Sequence, residues 1–127
     1  MRQLIDSPNA ATWIAEEEGR MAGFAIVEWT EFAKGILAYI QTLEVLPERR
    51  GGGIGGQLLD RIEGSARAVN AVAIWLHVDE KNALALRLYA ANDYLYASRK
   101  ENYYAEGRAA LIFSKPLDPK TDRQEIQ

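Results

Sequence analysis

Five of the six residues from Gly51 to Gly56 are glycine, and only Ile54 interrupts the run. Glycine loses more conformational entropy on folding than any other residue, so such a run is costly unless its backbone has a task. A β-prone segment precedes the run, and apolar residues at helical spacing follow it. A strand, a glycine-rich turn and a helix N-terminus direct several backbone N–H groups and the positive end of the helix dipole at one place. The residues therefore predict a site for a phosphate or pyrophosphate.

Three other interpretations of the glycine run are weaker. A merely flexible surface loop would not need a strand before it and an amphipathic helix after it. The run also satisfies the dinucleotide pattern G-x-G-x-x-G, but residues 47–50 separate it from the strand, and the chain is too short for a separate substrate domain. The P-loop pattern fails because no Lys-Ser or Lys-Thr follows Gly56.

His77 is the only histidine, and the chain has no cysteine. The lack of cysteine rules out disulfides, thiolate metal sites and a cysteine nucleophile. His77 lies in the apolar run of residues 72–78, where a histidine is commonly a hydrogen-bonded core residue. Position alone therefore favours a structural role, although the ordinary pKa of histidine, about 6.5, also suits a general base.

Three strands are predicted before the glycine run. Short β-prone runs at residues 11–16 and 23–29 flank residues 17–20, which predict a hairpin turn. A third strand runs from about residue 36 to residue 46. Pro47 ends this strand because proline cannot donate a hydrogen bond to a sheet ladder.

Two helices and three strands are predicted after the glycines. The first helix has one apolar face, made of Leu58, Leu59, Ile62, Ala66 and Val69. Residues 72–78 predict a central strand covered on both faces, and Asn82 predicts the N-cap of a helix over residues 83–91. The last two strands, residues 94–98 and 109–114, flank a loop at residues 101–107. This order predicts a mixed α/β sheet whose helices are crossover connections.

Composition and charge limit the function classes. A chain of 127 residues, 48% of them hydrophobic, has the size of one domain. We expect a single domain over residues 1–127, with its core at about residues 11–115 and a polar tail at residues 116–127. The net charge of −3 argues against a nucleic-acid partner, which needs a concentrated basic face. Without the apolar core of a signal peptide or a membrane span, the sequence predicts a cytoplasmic protein that binds no membrane.

Residues 50–55 resemble the hallmark of the GNAT family of N-acetyltransferases: Arg or Gln, two variable residues, Gly, one variable residue, then Gly or Ala. Residues 43–59 look like the family's fourth strand and third helix throughout. Residues 82–89 are similar to a second hallmark, Asn-x-x-Ala-x-x-x-Tyr, through Asn82, Ala85 and Tyr89. The resemblance covers about residues 11–115 and implies a GNAT-type fold, with a mixed, mostly antiparallel sheet and crossover helices.

The resemblance also implies that the chain binds acetyl-coenzyme A (acetyl-CoA). The backbone of Leu43 and Val45 would pair with the pantetheine arm of the cofactor as a further strand would. Asn82 would contact the same arm, and Tyr89 would stand near the sulfur and protonate the departing thiolate. The backbone N–H groups that would hold the pyrophosphate belong to Arg50, Gly51, Gly52, Gly53, Ile54, Gly55 and Gly56.

Within the family, three short segments look most like acetyltransferases that modify protein α-amino groups. In that subfamily a tyrosine and a histidine on neighbouring strands form the catalytic pair, and Tyr39 and His77 hold these two positions. His77 would take the proton of the amine through a water that Tyr39 orients. Tyr103 and Tyr104 would hold the backbone of an acceptor peptide.

Glu44 is the alternative base. Strand alternation places it on the opposite face from Leu43 and Val45. A backbone N–H near Leu43 would stabilise the oxyanion of the tetrahedral intermediate. We expect no metal in this site.

The sequence departs from the family in two places. Asp93 stands where the family usually has glycine, and the turn should survive because aspartate tolerates left-handed backbone angles. About ten residues precede the first predicted strand, where the family normally has a strand and two helices, so we expect these elements to be truncated. Large apolar side chains in residues 13–15 and 24–29 would then stay open to water. This predicts a homodimer or an unidentified partner.

The sequence thus predicts an acetyl-CoA-dependent N-acetyltransferase that acts on a primary amine, with a protein or peptide α-amino group as the first choice. One alternative is an enzyme that acetylates a small-molecule amine. The other is a non-catalytic acyl-CoA-binding or regulatory module, which would keep the glycine run and Asn82 but have no working acceptor site.

Overall fold

The computed structural model describes residues 1–4 and 7–117. They form two compact units, one made of residues 1–74 with residues 116 and 117, the other of residues 75–115. No helix in these described ranges is long and apolar enough to cross a membrane.

Seven strands, two α-helices and one short 3-10 helix make up the described chain. The strands are β1 (Arg2–Gln3), β2 (Ala10–Glu17), β3 (Arg20–Phe32), β4 (Gly35–Val45), β5 (Ala71–Asp79), β6 (Leu95–Ala105) and β7 (Arg108–Pro116). The 3-10 helix covers Pro47–Arg49, and the α-helices are α1 (Ile54–Ala68) and α2 (Ala83–Ala91). The sheet is mostly antiparallel, with the strand order β1-β2-β3-β4-β5-β7-β6. The predicted mixed α/β fold is confirmed.

Several local signals in the sequence act as predicted. Glu18 and Gly19 turn between β2 and β3 with φ of 55° and 78°, the left-handed angles that suit a tight hairpin. The side-chain oxygen of Asn82 accepts a hydrogen bond from the Ala85 N–H at 3.1 Å and caps α2. Asp93 adopts φ of 71°, so the turn expected there forms without glycine.

In the first unit, α1 packs on β2, β3 and β4. The buried strand residues are small or medium in size, which lets the helix approach closely; they are Ala11, Ala15, Ala25, Val27, Ala38 and Ile40. The helix contributes Leu58, Leu59, Ile62 and Ala66, as its apolar spacing predicted. At Gly23 there is no room for a side chain, since a Cβ would lie 2.6 Å from the Glu44 carbonyl oxygen of β4 and 3.2 Å from Leu58 Cδ1 of α1.

Three details of the predicted fold are wrong. Residues 101–105 continue β6 instead of forming a loop; their side chains are all exposed, so no alternation of apolar and polar residues indicated the strand. Along β5, Leu76 and Val78 are buried but Trp75 and His77 are only half-buried, so one face is not fully covered. A short strand, β1, precedes the first predicted one and pairs with β2. Its two residues are too few to give a sequence pattern.

The apolar face expected on β2 and β3 is less open than predicted. Trp13 lies on the α1 side, where its indole N–H donates to Ser65 Oγ at 2.9 Å and the Arg61 guanidinium lies 5.1 Å from its ring centre. Phe24 and Ile26 are half-buried. Leu117 is buried and its N–H donates to the Val72 carbonyl at 2.9 Å. The rest of the predicted tail, residues 118–127, lies outside the described residues.

Candidate functional site

The glycine turn, residues 51–53, joins the 3-10 helix to α1. Gly51 and Gly53 have φ of 90° and 85°, in the left-handed region that side chains rarely adopt. Gly53 is the N-cap of α1, and within the described chain no side chain caps this helix and no acidic residue lies in its first turn. The N–H groups at this end therefore have no side-chain cap, and the helix dipole adds positive potential there. This is an anion-binding arrangement.

The space beside the turn is open. A Cβ added at Gly51, Gly53 or Gly56 would meet no described atom within 4 Å, and at Gly52 the nearest atom would be the Arg49 carbonyl oxygen at 3.9 Å. Gly52 and Gly56 also lack the positive φ that demands glycine. Neither packing nor backbone angle explains these two glycines, whereas close approach of a ligand to the backbone would.

The end of β4 leads into this turn. Leu43 and Val45 are half-buried there, and they pair with Ala25 and Gly23 of β3. The Nε of Arg50 donates to the Val45 carbonyl oxygen at 3.1 Å. The Arg50 side chain is thus bonded to the end of β4, and the Arg50 backbone N–H donates to the Pro47 carbonyl oxygen at 3.4 Å.

A β-bulge in β4 decides which side Tyr39 faces. Thr42 pairs with Ile26 and Ile40 pairs with Val27, so Gln41 is the extra residue. The amide of Gln41 donates to the Glu28 carboxylate across the strands. One extra residue reverses the alternation of side chains on the far side of the bulge.

The reversal brings Tyr39 and Glu44 onto one face. Directly opposed residues share a face; Tyr39 lies opposite Glu28, and Glu44 lies opposite Phe24. Strict alternation would have put Tyr39 with Leu43 and Val45, on the α1 side. Glu28 was not identified from the sequence, because its place opposite Tyr39 depends on the strand register.

In the second unit, His77 lies in an aromatic cluster. The Tyr103 ring stacks on the imidazole, with 4.7 Å between ring centres and 5° between planes. Trp75 approaches the imidazole edge at 5.2 Å, and Tyr104 meets the Tyr103 ring at 5.0 Å and 87°. Three residues predicted for the site, His77, Tyr103 and Tyr104, are therefore in contact as a chain of rings.

The environment of His77 favours its neutral form. Burial lowers the pKa of the imidazole below its ordinary value, and the positive charge of Lys100 lowers it further. A neutral imidazole can accept a proton at physiological pH, as a general base must.

Tyr89 and Asn82 lie at the two ends of α2. Tyr89 is buried and its ring packs edge-on against Tyr94, at 5.4 Å between centres. The side-chain oxygen of Asn82 is used in capping the helix, so the amide nitrogen is the side-chain group suited to donate to a ligand. The pairing of Tyr39 with His77 stays a prediction.

Known proteins that are similar in sequence to this chain are acetyltransferases. A model of the acetyltransferase (GNAT) family matches residues 1–94. A streptothricin acetyltransferase of Streptomyces lavendulae is 32% identical over 87% of this chain and 60% of its own length. The N-alpha-acetyltransferase MAK3 of Arabidopsis thaliana is 27% identical over 88% of this chain and 61% of its own. The chain thus spans about three fifths of the length of these two relatives.

The fold recurs in solved structures. An acetyltransferase of Bacillus anthracis strain Ames, solved in complex with acetyl coenzyme A, superposes with a TM-score of 0.79 at 20% identity. The match covers 89% of this chain and 65% of that one. Since the family model covers most of the chain and includes the glycine turn, this protein belongs to the GNAT acetyltransferase family.

Proposed function

We propose that the protein is an acetyl-CoA-dependent N-acetyltransferase that transfers an acetyl group to a primary amine. The glycine run at residues 51–56 carries this proposal, since in the described chain neither packing nor backbone angle requires glycine at Gly52 or Gly56. A pyrophosphate against the N–H groups of residues 51–56 would account for both, and for the helix end that no described side chain caps.

The cofactor would extend from this turn along β4. The backbone of Leu43 and Val45 would pair with the pantetheine arm, and the Asn82 amide would donate to it. The acetyltransferase from Bacillus anthracis, which has this fold, binds acetyl coenzyme A. The acetyl-CoA supplies the thioester carbonyl that the amine attacks.

Three side chains would do the chemistry. His77 would accept the amine proton through a water, helped by the lowered pKa that keeps its imidazole neutral. Tyr39 would orient this water. The backbone N–H near Leu43 would stabilise the oxyanion, and the Tyr89 hydroxyl would donate its proton to the leaving thiolate. Glu44 and Glu28, on the Tyr39 face of the strands, are the alternative bases.

A protein or peptide α-amino group is the proposed acceptor. Tyr103 and Tyr104 are nearly half exposed, at 47% and 44%; Tyr103 stacks on the His77 ring, and Tyr104 meets the Tyr103 ring edge-on. Exposed phenol groups beside the base are suited to hold a peptide backbone by hydrogen bonds. MAK3, an N-alpha-acetyltransferase, is among the relatives.

A small-molecule amine is the second candidate acceptor. The observation that favours it is the 32% identity to streptothricin acetyltransferase, which exceeds the 27% identity to MAK3. A homodimer or another partner, and a cytoplasmic location, stay proposals that come from the sequence.

Turnover of acetyl-CoA with two acceptor panels tests the proposal. One panel contains peptides that differ in their first residues, and the other contains small amines, including streptothricin. Release of coenzyme A with a peptide supports the first candidate, and release only with small amines supports the second. Tight binding of acetyl-CoA without turnover on either panel would contradict the enzyme and indicate a non-catalytic module.

A further inference from the structure

Lys100 of β6 completes a column of side chains on the imidazole of His77. The ammonium lies 5.9 Å from the centre of the Tyr103 ring, and that ring stacks on His77 at 4.7 Å. A cation over the face of an aromatic ring is attracted by the ring's negative π cloud. The three groups, Lys100, Tyr103 and His77, are called the cation column below.

Three other cations of this unit, Arg99, Arg108 and Lys115, have partners away from His77. On β6, Arg99 binds Glu80 at 2.7 Å and also Glu101. On β7, Arg108 is paired with Asp79, and Lys115 lies over the Tyr94 ring at 5.5 Å. Lys100 is the cation whose charge acts on His77.

We propose that Lys100 is a positioning residue for His77: its ammonium holds the Tyr103 ring on the imidazole face and disfavours a second positive charge there. The role in catalysis rests on the proposed function, in which His77 is the base. The contact of Lys100, Tyr103 and His77 does not rest on the proposed function, because it involves only these three side chains.

The position of the Lys100 ammonium over the Tyr103 ring is not explained if Tyr103 only holds a peptide. A tyrosine that only held substrate would not need a lysine on its ring. In the cation column, Tyr103 covers one face of the imidazole and Lys100 opposes its protonation, and both effects keep the base neutral. A change in Lys100 should therefore alter the pH dependence of the site and leave its affinity for acetyl-CoA unchanged.

The titration of His77 can be followed directly by NMR, because the chain has one histidine and its imidazole Cε1–H signal needs no assignment. The untagged wild-type protein, K100Q, K100R and K81Q are titrated at low salt. A unit charge about 10 Å from a titrating group in a water-like environment changes its pKa by about 0.3. We expect K100Q to raise the His77 pKa by this amount and K100R to retain the wild-type value.

The lysine at position 81, an exposed residue of the same unit, is the matched control for loss of one positive charge. K81Q should leave the His77 pKa unchanged. In about 1 M salt, where the Debye length is about 3 Å, the difference between wild type and K100Q should shrink. An equal pKa in wild type and K100Q, or an equal rise in K81Q, would overturn the proposal.

A second variant tests the ring. Tyr103→Ala should raise the His77 pKa because the imidazole gains water, and Tyr103→Phe, which keeps the stack, should not. The pH dependence of kcat/KM then separates this proposal from the assignment of His77 as the base. If the His77 pKa rises in K100Q but the acid limb of kcat/KM does not move, the cation column stands and His77 is not the base.

Discussion

At the scale of single residues, two of the three side chains proposed for the chemistry lie against neighbouring aromatic rings. Tyr89 is buried against Tyr94, and His77 is half-buried under Tyr103. Tyr89 could be predicted as a candidate because its hallmark is local in sequence, and His77 because a short segment around it resembles acetyltransferases of protein α-amino groups. The stacking on His77 could not, since it joins residues 26 positions apart through the pairing of strands.

The role of Tyr89 as the acid predicts a selective loss. Tyr89→Phe keeps the ring that packs on Tyr94 and removes the proton donor, so kcat should fall about 100-fold while the affinity for acetyl-CoA changes little. Steady-state kinetics and calorimetry check this. Tyr94→Phe is the control, because it removes a hydroxyl from the neighbouring ring and should keep kcat. Full activity in Tyr89→Phe would exclude Tyr89 from proton transfer.

The role of His77 predicts a pH dependence with a definite sign. Burial and then Lys100 lower the pKa of the imidazole, so the acid limb of kcat/KM should lie below pH 6.5, the ordinary histidine value. The rate should drop as pH falls through this limb, because protonated imidazole cannot accept the amine proton.

His77→Ala should lower kcat/KM about 100-fold and flatten the acid limb. The matched variants Glu44→Gln and Glu28→Gln remove the alternative carboxylate bases and should leave the limb in place. An unchanged profile in His77→Ala, with a flattened one in either glutamine variant, would assign the base to that carboxylate.

At the scale of elements, the helices were easier to predict than the strands. The apolar spacing of α1 and the cap at Asn82 are complete within a short stretch of sequence, so both helices begin where predicted. The bulge at Gln41 depends on how β4 pairs with β3, and no single strand carries that information. For the same reason, the placing of Tyr39 opposite Glu28 could not be derived.

The packing of α1 on the sheet predicts a sensitive position at Gly23. A methyl group there would collide with the Glu44 carbonyl oxygen and crowd Leu58. Gly23→Ala should reduce the free energy of unfolding by about 2 kcal/mol, measured by urea denaturation. Gly64→Ala is the control, since a Cβ meets nothing there and alanine favours helix, so that variant should be at least as stable as wild type. Equal stability of the two variants would contradict the close approach.

At the scale of the whole molecule, the family and the fold could be predicted from two short hallmarks in the sequence. The acceptor and the oligomeric state could not. These depend on surfaces whose residues are scattered along the chain, such as the half-buried Phe24 and Ile26. The proposed homodimer or other partner depends on this face, which is less open than the sequence predicted. Sedimentation velocity at micromolar concentration should show a species about twice the 14.2 kDa of one chain. A fully active monomer would contradict the dimer.

The central claim is that the open glycine turn binds acetyl-CoA, and calorimetric titration of two matched variants tests it most directly. Gly52→Val adds a side chain at a position with ordinary φ and open space, so the fold should tolerate it while the pyrophosphate loses its approach. Gly64→Val makes the same change within α1, away from the turn, and serves as the control. We expect acetyl-CoA affinity to fall at least about 100-fold in Gly52→Val, or about 2.7 kcal/mol, and to stay at the wild-type value in Gly64→Val. Wild-type affinity in a folded Gly52→Val would contradict the site.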